Sequence, residues 1–147
     1  MESAVAPLLD HVLFLARRSP LNAPRPSAIV MLMELGVPNH YMGHELVLQA
    51  IVLQHEDPTR GLRNDIYHEI TLRCHLNSEE QVDQAIRQAL KVAWKQGDRR
   101  LWECCFSCGR RVLLKRPSNS EFISRIAYIM ELWQESRREE GRYEKER

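Results

Sequence analysis

The sequence has no uninterrupted apolar run long enough to cross a membrane as a helix. An apolar patch lies within residues 1–20, but Asp10, Arg17 and Arg18 interrupt or follow it, and no basic segment precedes it. We therefore expect neither a signal peptide nor a membrane partner. The four cysteines occur without a secretory signal, which indicates reduced thiols in a cytoplasmic protein.

An excess of charge of either sign is also missing, because the formal net charge of the 147 residues is only +1. This near-neutrality excludes a polycation that binds nucleic acid through its overall charge. Any DNA-binding signal has to come from how the charges are distributed. The apolar share of 44% and the charged share of 28% are typical of a globular protein with one compact domain.

Catalytic signatures are absent as well. The sequence contains no phosphate-binding glycine loop, no nucleotide fingerprint and no paired-carboxylate site. Cys105 and Cys108 form one C-x-x-C pair, and Cys74 and His75 are further candidate ligands, but a second such pair is missing. Structural zinc normally has four ligands, so buried free thiols are the favoured interpretation and zinc is the alternative. We expect no enzyme and no cofactor.

No alternating strand pattern occurs, and helical spacing recurs along the chain. The prediction is an all-α fold of about six helices that contains a helix-turn-helix, plus an extra N-terminal helix. The organisation expected is an N-terminal helix at 1–18, a linker at 19–26 that holds three prolines, a domain at 27–138, and a charged frayed tail at 139–147. Met31, Met33 and Met42 are interpreted as core or near-core residues. Within the domain, helices are predicted at about 28–35, 40–55, 62–74, 78–96, 99–108 and 118–138.

The segment Asn77–Gly97 has the strongest local pattern. Ser78 followed by Gln81 fits a capping box, and Gly97 fits a helix end. One side of the helix is apolar, and the other side is polar. The polar side carries Gln81, Gln84, Arg87, Gln88 and Lys91.

Those polar side chains suit the reading of bases in the major groove. Glutamine bonds in a bidentate way to adenine, and arginine to guanine. A solvated polar face fits the same spacing, so periodicity alone does not decide between the two interpretations.

A basic cluster follows this helix. Between Lys95 and Arg116 there are seven basic residues against two acidic ones, which predicts a surface that faces phosphates. An ordinary basic surface is the alternative. Ser118 or Asn119 is predicted to cap the last helix, whose N-terminus can receive a phosphate.

Three strings in order, LGVPNHYMGHE, VDQAIRQALKVAW and RPSNSEFI, resemble the DNA-binding effector-domain family of stage-zero sporulation protein A. The resemblance covers about residues 27–135. It implies an all-helical domain of six helices whose helix-turn-helix inserts its second helix into the major groove. It also implies a transcriptional regulator related to the initiation of sporulation. The implied partners are double-stranded promoter DNA, a second copy of the chain on tandem sites, and RNA polymerase.

Carried over by position, the resemblance is partial. Arg87 agrees with a family arginine at the DNA face, and Asp83 keeps an acidic residue. Gln81 and Gln84 stand where arginines are usual, and Gln88 stands where histidine is usual. The predicted base-reading residues are Gln81, Gln84, Arg87 and Gln88. The predicted phosphate-binding residues are Lys91, Lys95, Arg110, Arg111, Lys115, Arg116, Ser118 and Asn119.

The family's full regulators carry a phosphoacceptor receiver domain ahead of this module, and here only residues 1–26 precede it. We therefore expect a free-standing module without control by aspartate phosphorylation. The N-terminal helix is expected either to dock on the domain or to mediate pairing. Because two arginines are replaced on the DNA face, an alternative function stays open, namely a protein-interaction module that keeps the fold but no longer reads DNA specifically.

Overall fold

A computed structural model describes residues 10, 24–106, 113 and 115–145, with side chains described at 10, 25–106, 113 and 115–135. Within these residues the chain forms six α-helices and no strand. The prediction of an all-α fold is confirmed. The helices are α1 (Pro24–Glu34), α2 (Met42–Glu56), α3 (Tyr67–Arg73), α4 (Glu79–Gln96), α5 (Arg99–Phe106) and α6 (Asn119–Lys145), and one π-helical turn (Leu62–Ile66) leads into α3.

Several predictions fall outside the described residues. They are the N-terminal helix at 1–18 apart from Asp10, most of the linker at 19–26, and the segment 107–112, which contains Cys108, Arg110 and Arg111. They stay predictions.

The first helix of the domain begins earlier than predicted. We expected the linker to end at Pro26 and this helix to begin at about residue 28, but α1 begins at Pro24. The physical reason is that the first-turn N–H groups of a helix have no intrahelical partner, so proline costs nothing there and its fixed φ suits the helix. Ser27 is a buried residue inside α1.

The last helix ends later than predicted. It continues past Arg138 to Lys145, so most of the segment expected to be a frayed tail is helical. Arginine, glutamate and lysine have high helix propensity, and no proline interrupts them.

The core lies around α2, which packs against α1, α4 and α6. Its largest fully buried side chains include Trp102, Trp133, Tyr67 and Phe122. Trp102 contacts the rings of Trp94 and Phe122, with centroids 5.4 and 5.5 Å away. These contacts join α4, α5 and α6, so the two tryptophans anchor helix–helix contacts.

The methionines divide between the core and the surface. Met31 is fully buried, whereas Met33 is 64% and Met42 is 52% exposed, so the core interpretation is wrong for the latter two. Ala28, Met31 and Leu32 define the inward face of α1, and Met33 lies on the outer side.

Two close backbone approaches fix how the helices cross. A Cβ atom added at Gly43 would lie 2.1 Å from the carbonyl oxygen of Ala85, so α2 and α4 meet backbone to backbone. Gly36 ends α1 with a left-handed φ of 88°, and a Cβ there would lie 2.8 Å from Cα of Gly97. Trp102 Nε1 donates to the carbonyl of Leu35 at 3.0 Å, and this hydrogen bond joins α5 to the C-terminal end of α1.

Across the part of the chain that is described, no helix combines the length and the apolar character that spanning a membrane requires.

Candidate nucleic-acid interface

The helix pair α3 and α4 forms the predicted helix-turn-helix, joined by residues 74–78. His75 adopts a left-handed φ of 54°, and Leu76 N donates to Thr71 O at 3.0 Å while His75 N donates to Leu72 O at 3.4 Å. These bonds make a Schellman ending of α3. A residue with a Cβ costs about 1–2 kcal/mol in that conformation, which the two bonds offset.

The N-terminus of α4 is capped as predicted, with one difference. Ser78 Oγ accepts from Gln81 N at 3.3 Å. The Gln81 side chain accepts instead from the backbone N–H of Asn77, at 3.0 Å, one residue before the position expected for a capping box. The hydrogen bonds at Ser78 and at Asn77 together hold the turn against the N-terminus of α4.

The outward face of α4 is polar, and its inward face is buried against α2, α3 and α6. Gln84, Arg87, Gln88, Lys91 and Lys95 are exposed, whereas Gln81 is half-buried. The stripe at 81, 84, 88, 91 and 95 has helical spacing along the 18 residues of α4, a rod about 27 Å long. The structure therefore brings the predicted base-reading residues onto one surface.

Two of the predicted base-reading side chains already have partners on α4. Gln84 Nε2 donates to Glu80 Oε1 at 3.3 Å. Arg87 Nη2 donates to Asp83 Oδ2 at 2.6 Å, and the Arg87 side chain remains 47% exposed. The carboxylate holds the guanidinium in one orientation while leaving it open to solvent.

Asp83 connects α4 to the start of α6. Its side chain is only 8% exposed. Asn119 Nδ2 donates to both the carbonyl oxygen and the carboxylate Oδ1 of Asp83, at 3.0 Å each. Arg63, in the π-helical turn, approaches Oδ2 at 3.5 Å. One buried carboxylate therefore joins three segments that are far apart in the sequence.

The predicted phosphate-binding residues occupy different environments. Lys91, Lys95, Lys115 and Ser118 are exposed, and Arg116 is half-buried. The pKa of Arg116 is lowered by burial and by the positive charge of Arg87. Arg87 and Arg116 line the same groove, where a bound anion would relieve the repulsion between their positive charges.

Ser118 and Asn119 have separate roles at the N-terminus of α6. Ser118 Oγ accepts from Glu121 N at 3.1 Å, which confirms the predicted cap. Asn119 is buried, and its side-chain Nδ2 donates to Asp83. Its side chain therefore positions α6 against α4, and its contact with a phosphate stays a prediction.

Two grooves border the outer side of α4. The first, about 480 Å³, is lined by Met42 together with Gln81, Gln84, Ala85, Arg87, Gln88 and Lys91. The second, about 500 Å³, is lined by Arg63, Tyr67, Arg87, Arg116, Ser118 and their neighbours. Arg87 lines both grooves.

The acidic residues in the first turn of α4 are both paired. Glu79 accepts from His68 Nδ1 at 2.8 Å, and that hydrogen bond lowers the pKa of the Glu79 carboxyl. Glu80 Oε2 lies 3.4 Å from Arg63 Nη2. These partners reduce the repulsion that two carboxylates would otherwise present to a nucleic-acid backbone.

Sequence reasoning missed Arg63, Tyr67 and Met42. Tyr67 is fully buried, and its pKa is raised by burial and by the charge of Asp83. Its position on the apolar side of the predicted third helix was a usable signal for burial. Nothing in the local sequence links Arg63 or Met42 to α4, because both lie on other elements.

Cys74, Cys104 and Cys105, the cysteines that the structure describes, are not in disulfide bonds. Cys105 is fully buried, and burial raises its pKa to about 12, which keeps it protonated and unreactive. Cys74 exchanges weak hydrogen bonds with Gln49. Within the described ranges, no three His, Cys, Asp or Glu side chains are grouped closely enough to hold a metal ion, and Cys108 lies outside them.

Comparison with known protein families adds to this geometry. The model of the family described as sporulation initiation factor Spo0A C terminal matches residues 29–130. The match runs from α1 into α6 and includes the helix-turn-helix and both grooves. The chain therefore belongs to the Spo0A C-terminal family, the DNA-binding effector domain of the sporulation regulator.

Proposed function

We propose that this domain is a sequence-specific DNA-binding transcriptional regulator whose α4 enters the major groove of promoter DNA. The observation that carries the proposal is the position of Arg87, which is exposed on α4 and lines the groove that also holds Arg116 and Ser118. Arg87 thus belongs both to the proposed base-reading face of α4 and to the groove proposed to bind phosphate.

The base contacts would come from the exposed stripe of α4. Glutamine side chains at 84 and 88 match the N6 and N7 edge of adenine, and Arg87 matches the O6 and N7 edge of guanine. Gln81 is the least free of the predicted readers, since its Oε1 also holds the helix cap. We expect its exchange to change stability as well as sequence preference.

The backbone contacts would come from the basic residues around this stripe. Lys91 and Lys95 extend it toward the C-terminus of α4, and Arg116 with the N-terminus of α6 flanks it on the other side. Released counterions would supply much of the affinity and make it depend on salt. We place Arg110 and Arg111 in the same patch by prediction from the sequence.

Binding to duplex DNA over a range of salt concentrations tests the two roles separately. Arg116→Ala is expected to weaken binding to all sequences and to reduce the slope of log K against log salt by about 1. Arg87→Ala is expected to relax base preference, at a cost of about 1–3 kcal/mol for the favoured site. Arg25→Ala is the matched control, because it removes the same charge from a pair with Glu45 that lines neither groove.

Enrichment of bound duplexes from a random-sequence pool separates this function from the alternative of a protein-interaction module. A selected consensus supports the regulator. Equal, weak retention of every sequence, unchanged by Arg87→Ala, would contradict it and favour the interaction module.

A further inference from the structure

Met42 is the most unusual residue beside the candidate base-reading face. It is the first residue of α2, it is 52% exposed, and it lines the groove formed by Gln81, Gln84, Gln88 and Lys91 on α4. Within this groove its side chain offers exposed apolar surface beside the polar side chains that are candidate base readers.

The backbone fixes where this side chain is placed. Gly43, the next residue, approaches α4 so closely that an added Cβ would lie 2.1 Å from Ala85 O and 2.7 Å from Ala89 Cβ. The start of α2 therefore lies backbone to backbone against α4. Met42 is held at a set distance from the stripe even though its own side chain is flexible.

The neighbours of Met42 specify the chemistry of its partner. Three glutamines share its groove, and glutamine pairs with adenine in the major groove. Every A·T pair presents, beside the adenine edge, the C5-methyl group of thymine, which is the only apolar group that the major groove displays. Ala85, half-buried in the same groove, adds a second methyl group on the protein side.

We propose that Met42 is a specificity-determining residue that packs against the C5-methyl group of a thymine next to the adenines read by α4. This inference rests on the proposed function. Met42 adds an apolar contact from α2 to the polar contacts from α4, so the preferred site would have an A·T pair at the position that faces Met42.

The test uses the duplex consensus enriched by the full chain. Each thymine in that consensus is replaced in turn by deoxyuridine, which keeps base pairing and removes only the methyl group. Wild type is expected to lose affinity roughly three- to tenfold at one thymine, a change that corresponds to burial of about one methyl group. Met42→Ala is expected to bind the thymine and uracil duplexes equally, and Met42→Leu is expected to keep part of the difference.

Met33→Ala is the matched control, because Met33 is an exposed methionine on α1 that does not line this groove. It is expected to discriminate thymine from uracil as wild type does. If wild type enriches a consensus and Met42→Ala shows the same thymine preference as wild type, the inference is overturned and the proposed function stands. If wild type enriches no sequence at all, both are overturned.

Discussion

Replacing Gly43 by alanine tests the backbone contact on which the interface depends. The added Cβ would lie 2.1 Å from Ala85 O, about 1.3 Å inside the 3.4 Å at which ordinary contact begins. The obstructing atom is a carbonyl oxygen within α4, so it cannot rotate aside as a side chain would. Relief requires that the α2 and α4 backbones separate.

Two opposing effects set the expected change in the free energy of unfolding of Gly43→Ala. Overpacking a core contact costs typically about 1–3 kcal/mol, and a backbone obstacle belongs at the upper end of that range or above it. Alanine regains about 1 kcal/mol over glycine through helix propensity. We therefore expect Gly43→Ala to lower the free energy of unfolding by at least about 2 kcal/mol and Tm by about 4–8 °C.

Thermal and urea unfolding followed by circular dichroism measure this change. Gly61→Ala is the control, because a Cβ at Gly61 meets nothing within 4 Å and its φ of −73° suits any residue. It is expected to stay within about 1 kcal/mol of wild type. A Gly43→Ala protein as stable as Gly61→Ala would refute the close approach of α2 and α4, and with it the fixed placement of Met42.

Two further substitutions probe the frame around α4. Asp83→Ala removes the carboxylate acceptor of the buried Asn119 amide and leaves it only the backbone carbonyl of residue 83, so we expect a loss of about 1–3 kcal/mol in urea unfolding. Glu80→Ala, at an exposed pair, should cost less than about 1 kcal/mol, and equal losses would contradict the role assigned to Asp83. Ser78→Ala removes the cap of α4 and is expected to cost about 1 kcal/mol, measured in the same way, and a Ser78→Thr protein should keep most of that stability.

Local signals in the sequence were sufficient for the elements of the fold. The cap at Ser78 and the apolar period after it predicted α4 within a residue of its observed start. Pro24 was misinterpreted because proline both ends helices and begins them, and the sequence does not distinguish these uses without the packing around it. The length of α6 was underestimated because a run of mixed charge also suits a solvated tail.

The candidate site was predictable only where its residues share a helix. The stripe on α4 followed from spacing alone. The bond between Asp83 and Asn119 joins residues 36 positions apart, and no local pattern reports it. Met33 and Met42 were expected in the core and are exposed. Hydrophobicity indicates a preference for burial, but it does not indicate which helix face the tertiary packing covers.

The hydrogen bonds between Asp83 and Asn119 belong to the buried frame of the domain, whereas the side chains proposed to read bases lie outside that frame. Gln84, Gln88 and Lys91 are exposed side chains whose replacement leaves the buried frame intact. Under the proposed function, base preference can therefore change one residue at a time with little loss of stability, as long as the Asp83 carboxylate and the Asn119 amide stay in place. Two such domains with different target sequences would then sit on the DNA duplex in the same orientation and differ only in the bases that they contact.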